Sequence, residues 1–235
     1  MRILGIESSA GPASCAVWED GRILACSTVN TGLTHSQTLV PMVNDMLKNA
    51  GIPLETIDLL AVAAGPGSFT GVRIGVAAVK GIAFTEGKPC VGVSTLDAMA
   101  RTAEGTLFNG IICPTMDARR GQVYTALFEI RRGEVVRLTE DSAVSMDDLK
   151  KQLEKYKKPV LLIGDGAELC YNKFVKSLGE VFLAPPHLRY QSAVGVALEA
   201  AATQDQAVPS EKLVPIYLRL PQAERELKCK QSTGK

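Results

Sequence analysis

The chain has 235 residues, with 26 Lys and Arg against 25 Asp and Glu and a formal net charge of +1. Balanced charge argues against a chain built mainly for electrostatic capture of nucleic acid. Two histidines exclude a site made of several His ligands, and 46% hydrophobic residues suffice for a sizeable core.

No apolar run reaches membrane-spanning length, and Met1–Glu7 lacks a signal-peptide core. Cys15, Cys26, Cys90, Cys113, Cys170 and Cys229 are scattered without a CxxC pair. That spacing fits reduced thiols and a cytoplasmic location, with no membrane contact. Cys229, between Lys228 and Lys230, reads as an incidental thiol in a polar tail.

In chain order, strands are predicted at Arg2–Glu7, Ala13–Trp18 and Arg22–Thr28, with Asp20-Gly21 as a hairpin turn. A helix follows at about 35–49, a buried strand at 57–64 and a second helix at about 71–85. The order then repeats. Strands are predicted at 110–116, 121–130 and 133–138, a helix at 147–156, a strand at 159–163 and an Ala-rich helix at about 193–203. Each half opens with a strand ending in an acid, Glu7-Ser8-Ser9 in one and Asp117-Ala118-Arg119 in the other.

A repeated order of this kind predicts two related subdomains, 1–105 and 106–224, facing each other across a cleft. The helix at 193–203 is expected to pack back on the first subdomain, and 225–235 to form a disordered tail. The fold class is α/β, with mixed sheets flanked by helices. This is the ribonuclease H-like subdomain, duplicated as in the actin, sugar-kinase and Hsp70 ATPase superfamily. Likeness of fold settles no function.

The sharpest local feature is Gly65-Pro66-Gly67-Ser68-Phe69-Thr70-Gly71-Val72-Arg73-Ile74-Gly75, placed between a strand and a helix. Ser68 or Thr70 can cap that helix, and its free N–H groups can attract an anion. The run is neither a Walker A loop nor GxGxxG, so a structural turn and an anion site both stand. The helix itself is apolar nearly all round, with only Arg73 and Lys80 interrupting it. Val72, Val76, Val79, Lys80 and Ala83 on this helix are candidate partner-interface residues. So are Leu39, Val43, Met46 and Leu47 on the first helix, with Val40 and Met42 beside them. Mutual cover of the two helices is the alternative.

Ile3-Leu4-Gly5-Ile6-Glu7-Ser8-Ser9, the glycine run, Asp117–Tyr124 and Pro215-Ile216-Tyr217-Leu218-Arg219 together resemble the TsaB family, also called YeaZ. These matches fall in order along nearly the whole chain. The resemblance implies a non-catalytic paralogue of TsaD, the subunit that transfers the threonylcarbamoyl group to adenosine 37 of tRNAs reading ANN codons (t6A). It implies partnership with TsaD and with the ATPase TsaE, and a homodimer that competes for the TsaD surface. In TsaD-like proteins an HxxxH motif holds the catalytic metal. Here Thr95 and Met99 stand at those positions, so no metal and no catalytic residue is expected.

Glu7, Ser8, Gly65, Gly67, Ser68, Asp117, Gly164 and Gly166 correspond to nucleotide or anion loops of the superfamily. The first turn of each half lacks the glycines that admit phosphate. No cofactor is expected of this chain alone, while ATP or ADP can occupy a shared site in the complex. Basic clusters at Arg119-Arg120, Arg131-Arg132 and Lys155, Lys157 and Lys158 read as solvated faces, so tRNA contact is expected to be weak or made through the complex. The leading expectation is a scaffold or activating subunit, and the alternative is an ATP-binding small-molecule kinase or ATPase. A peptidase is disfavoured because no Gly-x-Ser-x-Gly elbow is present.

Overall fold

A computed structural model describes residues 1–219. The predicted tail at 225–235 and Cys229 lie outside the described residues. The first half contains β1 (Arg2–Glu7), β2 (Ala13–Glu19), β3 (Arg22–Val29), α1 (His35–Ala50), β4 (Leu59–Gly65), α2 (Phe69–Glu86), β5 (Cys90–Ser94) and α3 (Thr95–Arg101). Its sheet runs β3-β2-β1-β4-β5. β1 pairs antiparallel with β2 and parallel with β4. Every residue of β4 is buried, as its unbroken apolar run requires of a central parallel strand. Asp20 and Gly21, at φ 46 and 84, make the tight β2–β3 turn.

The second half contains β6 (Ile111–Asp117), β7 (Gln122–Thr125), β8 (Phe128–Arg131), β9 (Glu134–Arg137), β10 (Ser142–Ser145), α4 (Met146–Glu154), β11 (Val160–Ile163), α5 (Ala167–Phe174), β12 (Val181–Leu183) and α6 (Ala193–Ala202). Its main path, β10-β7-β6-β11-β12, repeats the first sheet, with β8 and β9 continuing the ladder beside β6.

The strand predicted over 121–130 is broken at Ala126-Leu127. Pro114 in β6 has no N–H to donate, so the ladder cannot run through it. The Thr125 hydroxyl donates to Pro114 O instead, at 2.7 Å, and pairing resumes at Ile112 with Phe128.

Both faces of the first sheet are covered. On one face, Leu4, Ile6, Leu60 and Val62 pack with residues of α1 and α2. On the other, Ile3, Ala61, Ala63, Val91 and Val93 pack with Val196, Ala197 and Ala200 of α6. A Cβ on Gly5 would come within 2.7 Å of Ala193 O, so only glycine admits α6 this close. Helix α3 joins the halves: Ala98 packs with α6 and the first sheet, while Leu96 and Met99 pack with Ile112, Phe128 and Ile163 of the second.

The chain then runs back over the first half as a strap. Val208 forms a two-way backbone bridge with Cys90. Ile216 N donates to Ala64 O at 2.7 Å. Among the described residues, no helix is long and apolar enough to cross a membrane.

Candidate functional site

Two regions gather the residues singled out above: the outer surface of α1 and α2, and the cleft between the halves.

On the helices, Leu39, Val43, Met46, Leu47, Val72, Val76, Val79 and Ala83 are all buried in the first-half core. The interface expectation for these eight is corrected. Val72, Val76, Val79 and Ala83 recur at helical spacing as one stripe, and that stripe faces the sheet. Lys80 is also occupied, since Nζ donates to Glu211 O at 3.3 Å and to Leu213 O at 3.2 Å, pinning the strap.

What the helices present outward is a different set. Ala77 and Gly81 are exposed, Ile74, Ala78 and Ile82 are half-buried, and Phe84 is 77% exposed. Val40 on α1 is exposed as well. Helix α2 therefore carries two apolar faces, one spent on its own sheet and one uncovered in the single chain.

The cleft holds about 470 Å³ and is lined by Ser9, Ser68, Phe69, Asp117, Tyr124 and Asp165, among others. Helix α2 begins at Phe69, two residues before the prediction, and Ser68 is its N-cap, with its hydroxyl accepting from Gly71 N. The glycines of the run face protein. A Cβ at Gly71 would overlap Ser8 O, one at Gly67 would approach Ser9 O to 2.6 Å, and one at Gly65, where φ is +127, would overlap Ile216 O. Glycine lets the loop lie directly on the Ser8-Ser9 turn and on the strap.

Hydrogen bonds fasten the same contacts. Ser68 N donates to Ser9 O at 2.7 Å, and Ser8 Oγ donates to Gly71 O at 2.9 Å. Across the cleft, Gly164 N donates to Arg189 O and Gly166 N to Thr115 O. A Cβ on Gly164, where φ is +112, would overlap Thr115 O, and one on Gly166 would crowd the Met116–Asp117 backbone at 3.0 Å. These contacts hold the expected anion loops against the neighbouring turns.

Glu7 lies fully buried at the end of β1. Ser9 N donates to Oε1 at 2.5 Å, while Oε2 has no protein partner. Burial pushes its carboxyl up from 4.5 to about 7, with Asp165 adding to the rise. Asp117 instead accepts from Arg119 N at 2.7 Å and sits at the cleft wall.

Thr95 and Met99 are buried on α3, and Met99 packs in the second-half core. No group of three or more His, Cys, Asp or Glu is placed to hold a metal ion among the described residues. His35 opens α1, with Nε2 at 2.7 Å from Ala10 O.

One cluster escaped the sequence reading. Tyr217 stacks on Phe69 with ring centroids 4.6 Å apart. Arg73 lies over both rings, at 5.6 and 5.7 Å, and donates Nε–H to the Tyr217 hydroxyl at 2.8 Å. Phe69 and Arg73 belong to the glycine run and Tyr217 to Pro215–Arg219, and neither motif says what its side chains touch.

A family model described as TsaD, tRNA N6-adenosine threonylcarbamoyltransferase, matches residues 30–226. The tRNA threonylcarbamoyladenosine biosynthesis protein TsaB of Bacillus subtilis (strain 168) is 33% identical over 227 residues, covering 95% of this chain and 96% of its own. The protein of the same name from Escherichia coli (strain K12) is 31% identical over 225 residues, covering 93% and 95%. Among solved structures, YeaZ from Pseudomonas aeruginosa superposes with a TM-score of 0.74 at 25% identity, covering 92% of this chain and 99% of its own.

Proposed function

Since the chain belongs to the TsaB branch of the TsaD-like family, we propose that it acts in t6A biosynthesis as a non-catalytic subunit that docks on and activates the TsaD transferase. The observation that carries this reading is the uncovered outer face of α2, where Ala77, Ala78, Gly81 and Phe84 present small and apolar groups. Small residues admit a second helix at close range, and an exposed apolar helix face is ordinarily an interface. The partner is TsaD, or a second copy of the chain on the same face. TsaE joins the assembly in cells. No metal or nucleotide is assigned to this chain alone; ATP or ADP in the assembly would depend on partner groups closing over the cleft.

The test replaces Ala77 with Asp and Phe84 with Ser on the outer face. Co-elution with TsaD and t6A formation by the reconstituted proteins should both fall at least about tenfold, because an unpaired charge would enter the contact. Unchanged co-elution and unchanged t6A would refute the proposal.

A further inference from the structure

The rim of the cleft carries arginines whose partners leave their charge intact. Arg73 is held by the Phe69–Tyr217 stack and the Tyr217 hydroxyl. Arg219 donates to Ala118 O at 2.9 Å and lies over the Tyr124 ring at 5.7 Å. Arg120 is exposed at the β6–β7 turn. Among the described residues, none of these three has a carboxylate within salt-bridge distance. The neighbouring Arg119 is 86% exposed and pairs with Asp117 at 3.3 Å.

The cleft lining and the contacts to it place Arg73 and Arg219 at one rim, and Arg120 follows the lining residue Arg119 in the chain. Phe69, Ala118, Arg119 and Tyr124 all line the cleft. Arg73 reaches that lining through Phe69, and Arg219 through Ala118 and Tyr124. The turn between them is also held in an unfavourable backbone: Arg119 and Arg120 have φ of 65 and 56, ahead of Gly121 at 72. Two consecutive non-glycine residues in the left-handed region cost about 1 kcal/mol or more each. Asp117 supports the turn by accepting from Arg119 N. The result projects Arg120 into solvent.

A guanidinium held by an aromatic face or a carbonyl keeps its full charge and spare N–H donors. Arginines beside an exposed aromatic ring, here Tyr217 at 40% exposure, are the chemistry that engages a single nucleic-acid strand, the arginines taking phosphates and the ring a base. An acidic protein surface would use the charges but not the rings. We propose that Arg73, Arg120 and Arg219, with Tyr217 beside them, form a docking rim for single-stranded RNA. This rests on the reading that the chain works in tRNA modification, and it assigns the chain an RNA contact of its own.

The test uses the full chain and a fluorescein-labelled oligouridine of about twelve nucleotides, a length within the range that single-strand sites cover. Anisotropy is read from 50 to 200 mM KCl. Three phosphate contacts predict a fall in affinity of about 20-fold across that range. Arg73→Gln, Arg120→Gln and Arg219→Gln should each flatten the log–log slope by about 0.7, whereas Lys155→Gln with Lys157→Gln should leave it unchanged. Polyglutamate of equal charge should compete at least about tenfold worse than oligouridine, because it cannot stack.

No binding by the parent chain at 50 mM KCl would overturn the inference. So would a triple variant that binds like the parent, or polyglutamate competing as well as RNA, which would make the rim an acidic-protein surface. Co-elution of the triple variant with TsaD is the separate readout. Retained co-elution with unchanged RNA binding sinks the rim and spares the docking reading, while loss of co-elution in the outer-face variants is decided without RNA.

Discussion

Replacement of Val79 by Ala separates a core stripe from a partner surface. Val79 is 0% exposed and packs in the cluster that joins α2 to the first sheet. Removing two buried methyl groups loses about 1.6 kcal/mol of transfer free energy, and the cavity left behind raises the cost to about 2–3 kcal/mol. Phe84 is the control, because at 77% exposure its change to Ser should alter the stability of the single chain by about 0.5 kcal/mol at most. Urea unfolding followed by circular dichroism is the assay. With a slope of about 2.5 kcal/mol/M, Val79→Ala should lower the midpoint by about 1 M and leave the slope unchanged. The deficit should be the same at low and high protein concentration, since it belongs to the fold and not to association. A deficit that vanishes on dilution, or a Phe84→Ser variant that unfolds earlier than Val79→Ala, would refute the assignment of inner and outer faces.

Gly71→Ala should destabilise the chain by about 3 kcal/mol in thermal melts, because the new Cβ overlaps Ser8 O and the loop must move off the first turn; a melt matching the parent would contradict the close approach. Glu7 should make stability fall as pH rises. Its folded value of about 7 lies above the unfolded 4.5, so its contribution is full below 4.5 and is lost as pH climbs to about 7, by about 3 kcal/mol in all. Glu7→Gln should flatten that part of the stability–pH curve and leave the variant more stable than the parent at pH 8, which denaturant titrations at several pH values will check. Lys80→Met removes the ammonium that bonds Glu211 O and Leu213 O. It should cost about 1–2 kcal/mol and speed hydrogen exchange at Val208, and an unaltered exchange rate would show that the strap is held by its other contacts.

The duplicated strand order was legible because alternation, turn pairs and apolar runs recur twice at the same relative places. The Asp20-Gly21 turn and the fully apolar β4 needed nothing beyond local chemistry. Elements whose reason is tertiary were missed. Helix α5 has only eight residues, too few for its Ala167-Cys170-Phe174 stripe to stand out, and β10 exists because it pairs with β7. Pro114 was visible in the sequence, but its effect on the opposite strand depends on which side of β6 its missing donor faces.

The site was legible in the same uneven way. An all-round apolar helix announces that both faces are covered, yet sequence alone does not say which face turns inward. Val76 and Val79 face the sheet, while Ala77 and Phe84, on the same apolar helix, face outward. The glycine run allows both a turn and an anion site, and its packing on Ser8 and Ser9 emerges only in the fold.

The position of α6 has a bearing on how this molecule is made. The face of the first sheet formed by Ile3, Ala61, Ala63, Val91 and Val93 has its cover in Val196, Ala197 and Ala200. During synthesis that face waits, after Val93 has emerged, for about a hundred further residues, roughly 5–20 s at typical rates of elongation. A nascent first half therefore carries a sticky sheet surface on the ribosome, and messages stalled or truncated before codon 193 should yield products that chaperones retain.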